Sequence, residues 1–372
     1  MKAALIAAVL AAPAAFASAR FEHREGLTLE GGWDDDVLLT GAGGDEVGRV
    51  APMVQLALQD EHLDATAGYA GDLFLFRQRD AAATAQALAL GGRFRATPRL
   101  TLSWAARGRY ANDPLALARW GLLRPSGDAL LGDAEASLAW QADVRTTLTA
   151  GYRQDRLFFG LADPSSGAVH APYAAARYRL TPRDAIGLRV RAQAFTAMND
   201  PGVLGTSGGA FAEYARRLTP HLDLELSAGP MAYGDRDHAP ALVPRAFATL
   251  EYAEREDRGL HVAAGRDLVV GAGHAGALVG DLAEVGGFWE PTLRLRLEGR
   301  FGFYRDGLVP FGVQGVAGYV ADASADVAIG GGLFLGAGAS RLAGIGAEAG
   351  GLSRDVVTAR LGWRSHGTLQ GE

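Results

Sequence analysis

The chain has 372 residues, a formal net charge of −6, no cysteine and 51 glycines. Without cysteine there are no disulfide staples and no thiolate metal site, and an acidic chain lacks the basic face that a nucleic-acid binder presents. Glycine at this abundance disfavours long helices and makes an isolated glycine motif a weak signal.

Residues 1–19, MKAALIAAVLAAPAAFASA, read as a secretory signal: Lys2, an apolar stretch from Ala3 to Phe16, then Ala17-Ser18-Ala19 as a small-residue cleavage site. Residues 20–372 are expected to form one domain. No later stretch makes a convincing transmembrane helix. The most apolar one, 327–351, is full of glycine and is interrupted by Arg341 and Glu348.

Along the rest of the chain the hydrophobic period is two. LTLSWAARGRY (100–110), ARYRL (176–180), IGLRVRAQAF (186–195), HLDLELSAG (221–229) and the run L-R-L-R-L-E-G-R-F from Leu293 alternate apolar and polar residues, which predicts strands with two unlike faces. Short turns are predicted at 59–62, 97–99, 141–144, 181–184, 219–221, 254–258, 290–292 and 322–326, several built on Thr-Pro, which presets a tight turn. Longer polar or Gly/Pro-rich breaks fall between them: 34–46, 78–82, 112–127, 160–167, 199–208, 234–240, 271–276, 305–308 and 340–353.

The beat of strand, long loop, strand, short turn gives an all-β fold: a transmembrane antiparallel β-barrel of about 18 strands (16–18), with short periplasmic turns and longer outer loops. Lipid cannot satisfy a free sheet edge, so such a sheet must close. Ile186, Leu188, Val190, Leu222, Leu224, Leu226, Leu293, Leu295 and Leu297 are expected to face lipid. Trp33, Trp104, Tyr110, Trp140, Phe288, Trp289, Tyr304 and Trp363 lie near strand ends, where aromatic girdles sit. A soluble β-sandwich would alternate too, but the leader and the unbroken alternation of turn lengths favour the outer membrane.

The residues between the lipid-facing positions are conspicuously arginine: Arg93, Arg95, Arg107, Arg109, Arg177, Arg179, Arg189, Arg191, Arg294, Arg296 and Arg300, with Asp223, Glu225 and Glu298 among them. These are the candidate lumen-lining residues. They make either a hydrated wall of mixed charge or a basic track for an anionic or hydroxyl-rich solute.

Motifs that would carry chemistry are thin. Gly271-x-Gly273-x-x-Gly276 in DLVVGAGHAG has the spacing of a dinucleotide-binding loop, but Gly280, Gly286, Gly287 and Pro291 occupy the span where its helix would run. Asp235, Asp237 and His238 in an outer loop, together with Asp34-Asp35-Asp36, could activate water, yet their spacing does not match the omptin-like surface proteases. No histidine is followed two residues later by serine, the signature of barrel phospholipases. The histidines at 23, 62, 170, 221, 238, 261, 274 and 366 show no ligand spacing. No catalytic residue, cofactor or metal is expected, beyond loose surface Ca²⁺ at the acidic loop.

The segment LEGGWDDDVLLTGAGGDEVGRVAPMVQLAL (29–58) resembles the start of outer-membrane β-barrel porins associated with exopolysaccharide secretion systems, which begin with a Gly-aromatic-Asp-Asp-Asn-Val signature followed by Arg-x-x-Pro. Here Gly32, Trp33, Asp34, Asp35, Asp36 and Val37 stand in that place, with Trp for Tyr and Asp for Asn, and Arg49-Val50-Ala51-Pro52 fits the second element. The resemblance covers about 30 residues. It implies an outer-membrane conduit for a secreted polysaccharide, working with a periplasmic polysaccharide-export protein and surrounded by outer-membrane lipid and lipopolysaccharide. The alternative is a passive diffusion porin for small solutes; a surface enzyme or an adhesive barrel comes behind both.

Overall fold

The computed structural model describes residues 19–36, 43–77, 81–112, 128–159, 166–197, 203–235, 240–254, 257–270, 277–308, 317–345 and 353–370. Residues 1–18, expected to form a signal segment, Val37 and GAGHAG (271–276) lie outside the described residues.

The described residues form 18 strands, of which β1 Arg20–Asp34, β2 Asp45–Gln59, β3 Leu63–Phe76, β4 Ala81–Thr97, β5 Leu100–Ala111, β6 Ala129–Gln141, β7 Thr146–Phe158, β8 Gly167–Arg179 and β9 Asp184–Ala197 make up the first half. The second half runs through β10 Val203–Thr219, β11 Leu222–Asp235, β12 Ala241–Glu254, β13 Arg258–Val270, β14 Ala277–Thr292, β15 Leu295–Leu308, β16 Ala317–Gly330, β17 Leu333–Ile345 and β18 Ser353–Gln370. Each pairs antiparallel with its neighbours in sequence, and β1 pairs with β18 as well as with β2. The sheet therefore closes into a barrel with no free edge, as the hairpin beat predicts.

The two faces separate by residue type. Leu188, Val190, Leu226, Leu335, Leu361 and Val357 are exposed on the outer wall, with Trp33, Trp140, Trp289 and Trp363 near its rims. Trp104 lies flat over Gly92, where a Cβ would stand 2.3 Å from its ring. Two of the expected girdle residues face inward instead. The Arg296 guanidinium stacks over Phe288 at 4.6 Å, and Tyr304 is buried against Val320 and Leu342. In both strands the pleat decides: Phe288 shares its face with Glu298, and Tyr304 with Arg300.

Several short turns share one device. Thr97 Oγ1 accepts from the amides of Arg99 (3.2 Å) and Leu100 (3.0 Å), Thr181 Oγ1 from Arg183 (3.1 Å) and Asp184 (3.0 Å), and Thr292 Oγ1 from Arg294 (3.3 Å) and Leu295 (3.0 Å). Asp143 Oδ1 does the same for Arg145 (2.7 Å) and Thr146 (2.9 Å), and these amides hold its carboxyl below the usual carboxylate range. One expected turn is corrected. Residues 322–326 lie inside β16, and the chain reverses at Gly331-Gly332, where positive φ at Gly330, Gly331 and Gly332 suits glycine. The acidic cluster DASAD has the look of a break because its outward residues are only alanines. Its inward Asp322 and Asp326 are ion-pair and hydrogen-bond partners in the lumen.

Candidate functional site

The inner wall is built from the polar half of the two-residue period. Strand pleating turns Arg93, Arg95, Arg107, Arg109, Arg177, Arg179, Arg189, Arg191, Arg296, Glu298 and Arg300 to the face opposite the exposed leucines. Arg294 is corrected: it belongs to the β14–β15 turn, because Thr292 ends one strand and Leu295 begins the next, so it sits at the short-turn rim with exposed Leu293.

Most of these arginines carry a carboxylate partner. Arg93 Nη2 meets Asp64 Oδ2 at 2.7 Å, Arg107 Nε meets Asp133 Oδ2 at 3.1 Å, and Arg109 Nη2 reaches the same Asp133 at 3.6 Å. Arg189 Nε donates to Glu213 Oε1 (2.6 Å) while its guanidinium covers the Tyr173 ring at 4.9 Å. Tyr173 in turn donates to Glu135 Oε1 (2.5 Å), which it reaches by lying over Gly151. Arg296 meets Glu290 and Glu298, Arg300 meets Glu284, and Arg177 lies 3.9 Å from Glu225. Arg95 and Arg179, toward the short-turn end, have no carboxylate partner among the described residues.

A second network runs along the wall from β3 to β16 through the closing strands. Arg49 bonds both Asp72 and Glu30, the latter at 2.7 Å, and Arg360 lies 4.0 Å from the same Glu30. Arg360 Nε then donates to Asp326 Oδ1 at 2.6 Å, passing over β17. That crossing needs Gly336, since a Cβ there would stand 2.1 Å from Asp326 Oδ1. Arg49 stands in the sequence only as part of the Arg-x-x-Pro motif, and Arg360, Arg245 and Asp267 are not among the residues expected to line the lumen. The alternation in GRVAPMVQL and VPRAFATLEY marks Arg49 and Arg245 as inward, but nothing local tells which carboxylate each meets.

The lumen is narrowed on one side. Asp267, near the long-loop end of β13, accepts from Arg191 of β9 (Nη2 at 2.5 Å, Nη1 at 3.2 Å) and from Arg245 Nε of β12 (3.0 Å). Phe211 lies beneath both guanidinia, 5.5 and 4.7 Å from its centroid. β9 and β13 are not neighbours in the barrel, and β13 also approaches β7 and β8. Against this cluster pack Val169, Phe195, Met231, Tyr233, Val243 and Leu268, an apolar plug on the inside of β8–β13. Below it lies a cavity of about 350 Å³ lined by Arg153, Arg189, Glu213 and Tyr173.

The Asp34-Asp35-Asp36 segment does something else. Asp34 and Arg354 are both buried and joined by Nε–Oδ2 (2.9 Å) and Nη2–Oδ2 (2.6 Å) bonds. Asp35 Oδ1 accepts from the Asp355 amide at 2.5 Å, and the Asp35 amide donates to the Asp355 carbonyl at 3.0 Å. Gly32 lets β1 approach β18, since a Cβ would fall 1.9 Å from the Val357 carbonyl oxygen. The segment thus fastens the barrel's seam. Among the described residues no cluster of His, Asp or Glu is arranged to hold a metal ion. Asp235 ends β11, while Asp237 and His238 lie outside the described residues.

No protein-family model matches the chain. No curated protein matches it either. Among solved structures it is similar to Pseudomonas aeruginosa OpdL, at 14% identity over 95% of this chain and 99% of that one with a TM-score of 0.39. It is similar to P. aeruginosa OccK2 (OpdF) in complex with glucuronate, at 11% identity over 94% and 98% with a TM-score of 0.46. A BenF-like porin from Pseudomonas fluorescens Pf-5 matches at 10% identity over 94% and 99%, TM-score 0.44. At such identities nothing passes to this chain beyond the barrel shape its own strands already define.

Proposed function

We propose that this outer-membrane β-barrel channel conducts small polar solutes by passive diffusion. The observation that supports this reading is Asp267, whose carboxylate leaves its own strand's place in the wall to meet Arg191 and Arg245. A lumen narrowed by side chains from β9, β12 and β13, with paired charges elsewhere, suits hydrated molecules of modest size better than a polymer chain. Export of a polysaccharide with a periplasmic partner, implied by the resemblance over 29–58, is the second reading. Its weight falls because the Asp34-Asp35-Asp36 part of that segment is engaged in closing the barrel.

Neither reading requires a reaction, and the arginines act as fixed charges that a solute passes. The test is liposome swelling with the purified barrel. Mono- and disaccharides and amino acids are expected to enter, with rates falling steeply with size, while oligosaccharides stay out. Entry of long oligosaccharides as fast as glucose would overturn the diffusion reading and restore the polymer conduit.

A further inference from the structure

The outer wall of β4–β7 carries a groove between leucines. Here Leu88 and Leu90 of β4 flank a floor of Ala106 and Gly108 on β5 and Gly132 and Ala134 on β6, and together they form a groove of about 410 Å³. The rows are set by register: Leu88 lies opposite Gly108, Gly108 opposite Gly132, and Gly132 opposite Arg156 on β7. The next row ends likewise on Gln154. An apolar trough on the lipid side therefore terminates at a guanidinium.

Arg156 is two residues from the long-loop end of β7, above the exposed ring of Tyr152. With its amide turned to satisfy both groups, Gln154 Oε1 accepts from Arg156 Nη2 (3.1 Å) and Nε (3.2 Å), which holds the guanidinium over the groove's end. Tyr152 Oη and His170 Nδ1 share a hydrogen bond of 2.5 Å beside it. No carboxylate pairs with Arg156 among the described residues. Three other outward arginines at this end do have a carboxylate: Arg266 is bonded to Asp281 at 2.6 Å, Arg341 lies 3.4 Å from Asp355 and Arg77 2.7 Å from Glu46.

We propose that this groove and the Arg156 head bind one phosphorylated, acylated glycolipid of the outer leaflet, with an acyl chain along Ala106, Gly108, Gly132 and Ala134 and a phosphate on Arg156. The complement of an unneutralised guanidinium at the headgroup level is an anion, and the complement of a lipid-side trough is a hydrocarbon chain. A molecule carrying both at that depth is a lipid of lipid A chemistry. The proposal rests on the outer-membrane reading of the barrel but not on what passes through its lumen.

The experiment is native mass spectrometry of the folded, detergent-purified barrel titrated with bisphosphorylated lipid A, with its dephosphorylated form, and with phosphatidylglycerol. Wild type should retain one lipid A, and Arg156→Glu should weaken that binding by about tenfold or more, as should removal of the phosphates. Gly108→Leu should weaken it comparably by filling the groove, and it leaves the fold intact because a Cβ at Gly108 meets nothing within 4 Å. Equal lipid A retention by wild type and both variants would overturn the site. Phosphatidylglycerol held as tightly as lipid A would overturn the glycolipid assignment. Liposome swelling should be unchanged in both variants, so a failure of the lipid site and a failure of the diffusion reading are read out separately.

Discussion

Two Asp–Arg contacts carry most of the contrast between what holds this barrel together and what its interior does. At the seam, Asp34 and Arg354 are almost wholly removed from solvent, at 0% and 1% side-chain exposure. In the lumen, Asp267 and its two arginines keep 23%, 16% and 16% exposure and lie on strands that are not all neighbours. The same chemistry is thus a fastening in one place and part of a wet passage in the other. Burial decides which, because a dry pair that loses a partner leaves an uncompensated charge, whereas water covers the loss in the lumen.

The largest effect is expected at the seam. Asp34→Ala should destabilise the folded barrel by about 3–5 kcal/mol, measured by urea unfolding in detergent, with ion selectivity unchanged. Replacing both partners, Asp34→Leu with Arg354→Met, should recover much of that loss. Gly336→Ala should come next, at about 1–3 kcal/mol, since its methyl group would strike Asp326 and the Ala325 carbonyl and separate Asp326 from Arg360. Asp267→Asn reverses the pattern. Its stability cost should stay near about 1 kcal/mol, while reversal-potential measurements shift toward anions because Arg191 and Arg245 lose their counter-charge. A seam variant that changes selectivity, or an Asp267 variant that unfolds the barrel, would erase the distinction.

The smallest effects belong to the turns. Thr181→Ala removes an acceptor shared by two amides and should cost about 0.5–1.5 kcal/mol. At Asp143 the sign follows from a carboxyl pKa held below its unfolded value: its contribution is present at neutral pH and is lost as pH falls through the lowered pKa. Wild type and Asp143→Ala should therefore differ in stability at pH 7 and converge in strong acid.

The barrel was legible because lipid and water impose opposite demands on alternate residues. L-R-L-R-L-E from Leu293 shows the period plainly, and the Thr-Pro pairs mark turns whose threonines do cap backbone amides. Residues 322–326 hide the same period behind alanine, whose side chain is too small to announce a lipid face, so a strand reads there as a turn. Phe288 and Tyr304 show that an aromatic near a strand end is no guide to its side of the wall; the count from Arg296 and Arg300 is. Inward orientation of Arg191 and Arg245 follows from alternation. Their meeting with Asp267 does not, since it depends on how far β13 leans across a lumen shaped by every other strand. The buried role of Asp34 is equally nonlocal, as its partner lies at the far end of the chain.

The most direct test of the account is polymer sizing of single channels in planar bilayers, with conductance recorded in salt containing polyethylene glycols of increasing mass. The account predicts that wild type conducts steadily, that only the smaller polymers enter and lower its conductance, and that Asp267→Ala admits larger ones. Entry of large polymers into wild type, or the same cut-off with and without Asp267, would contradict a passage narrowed by β13.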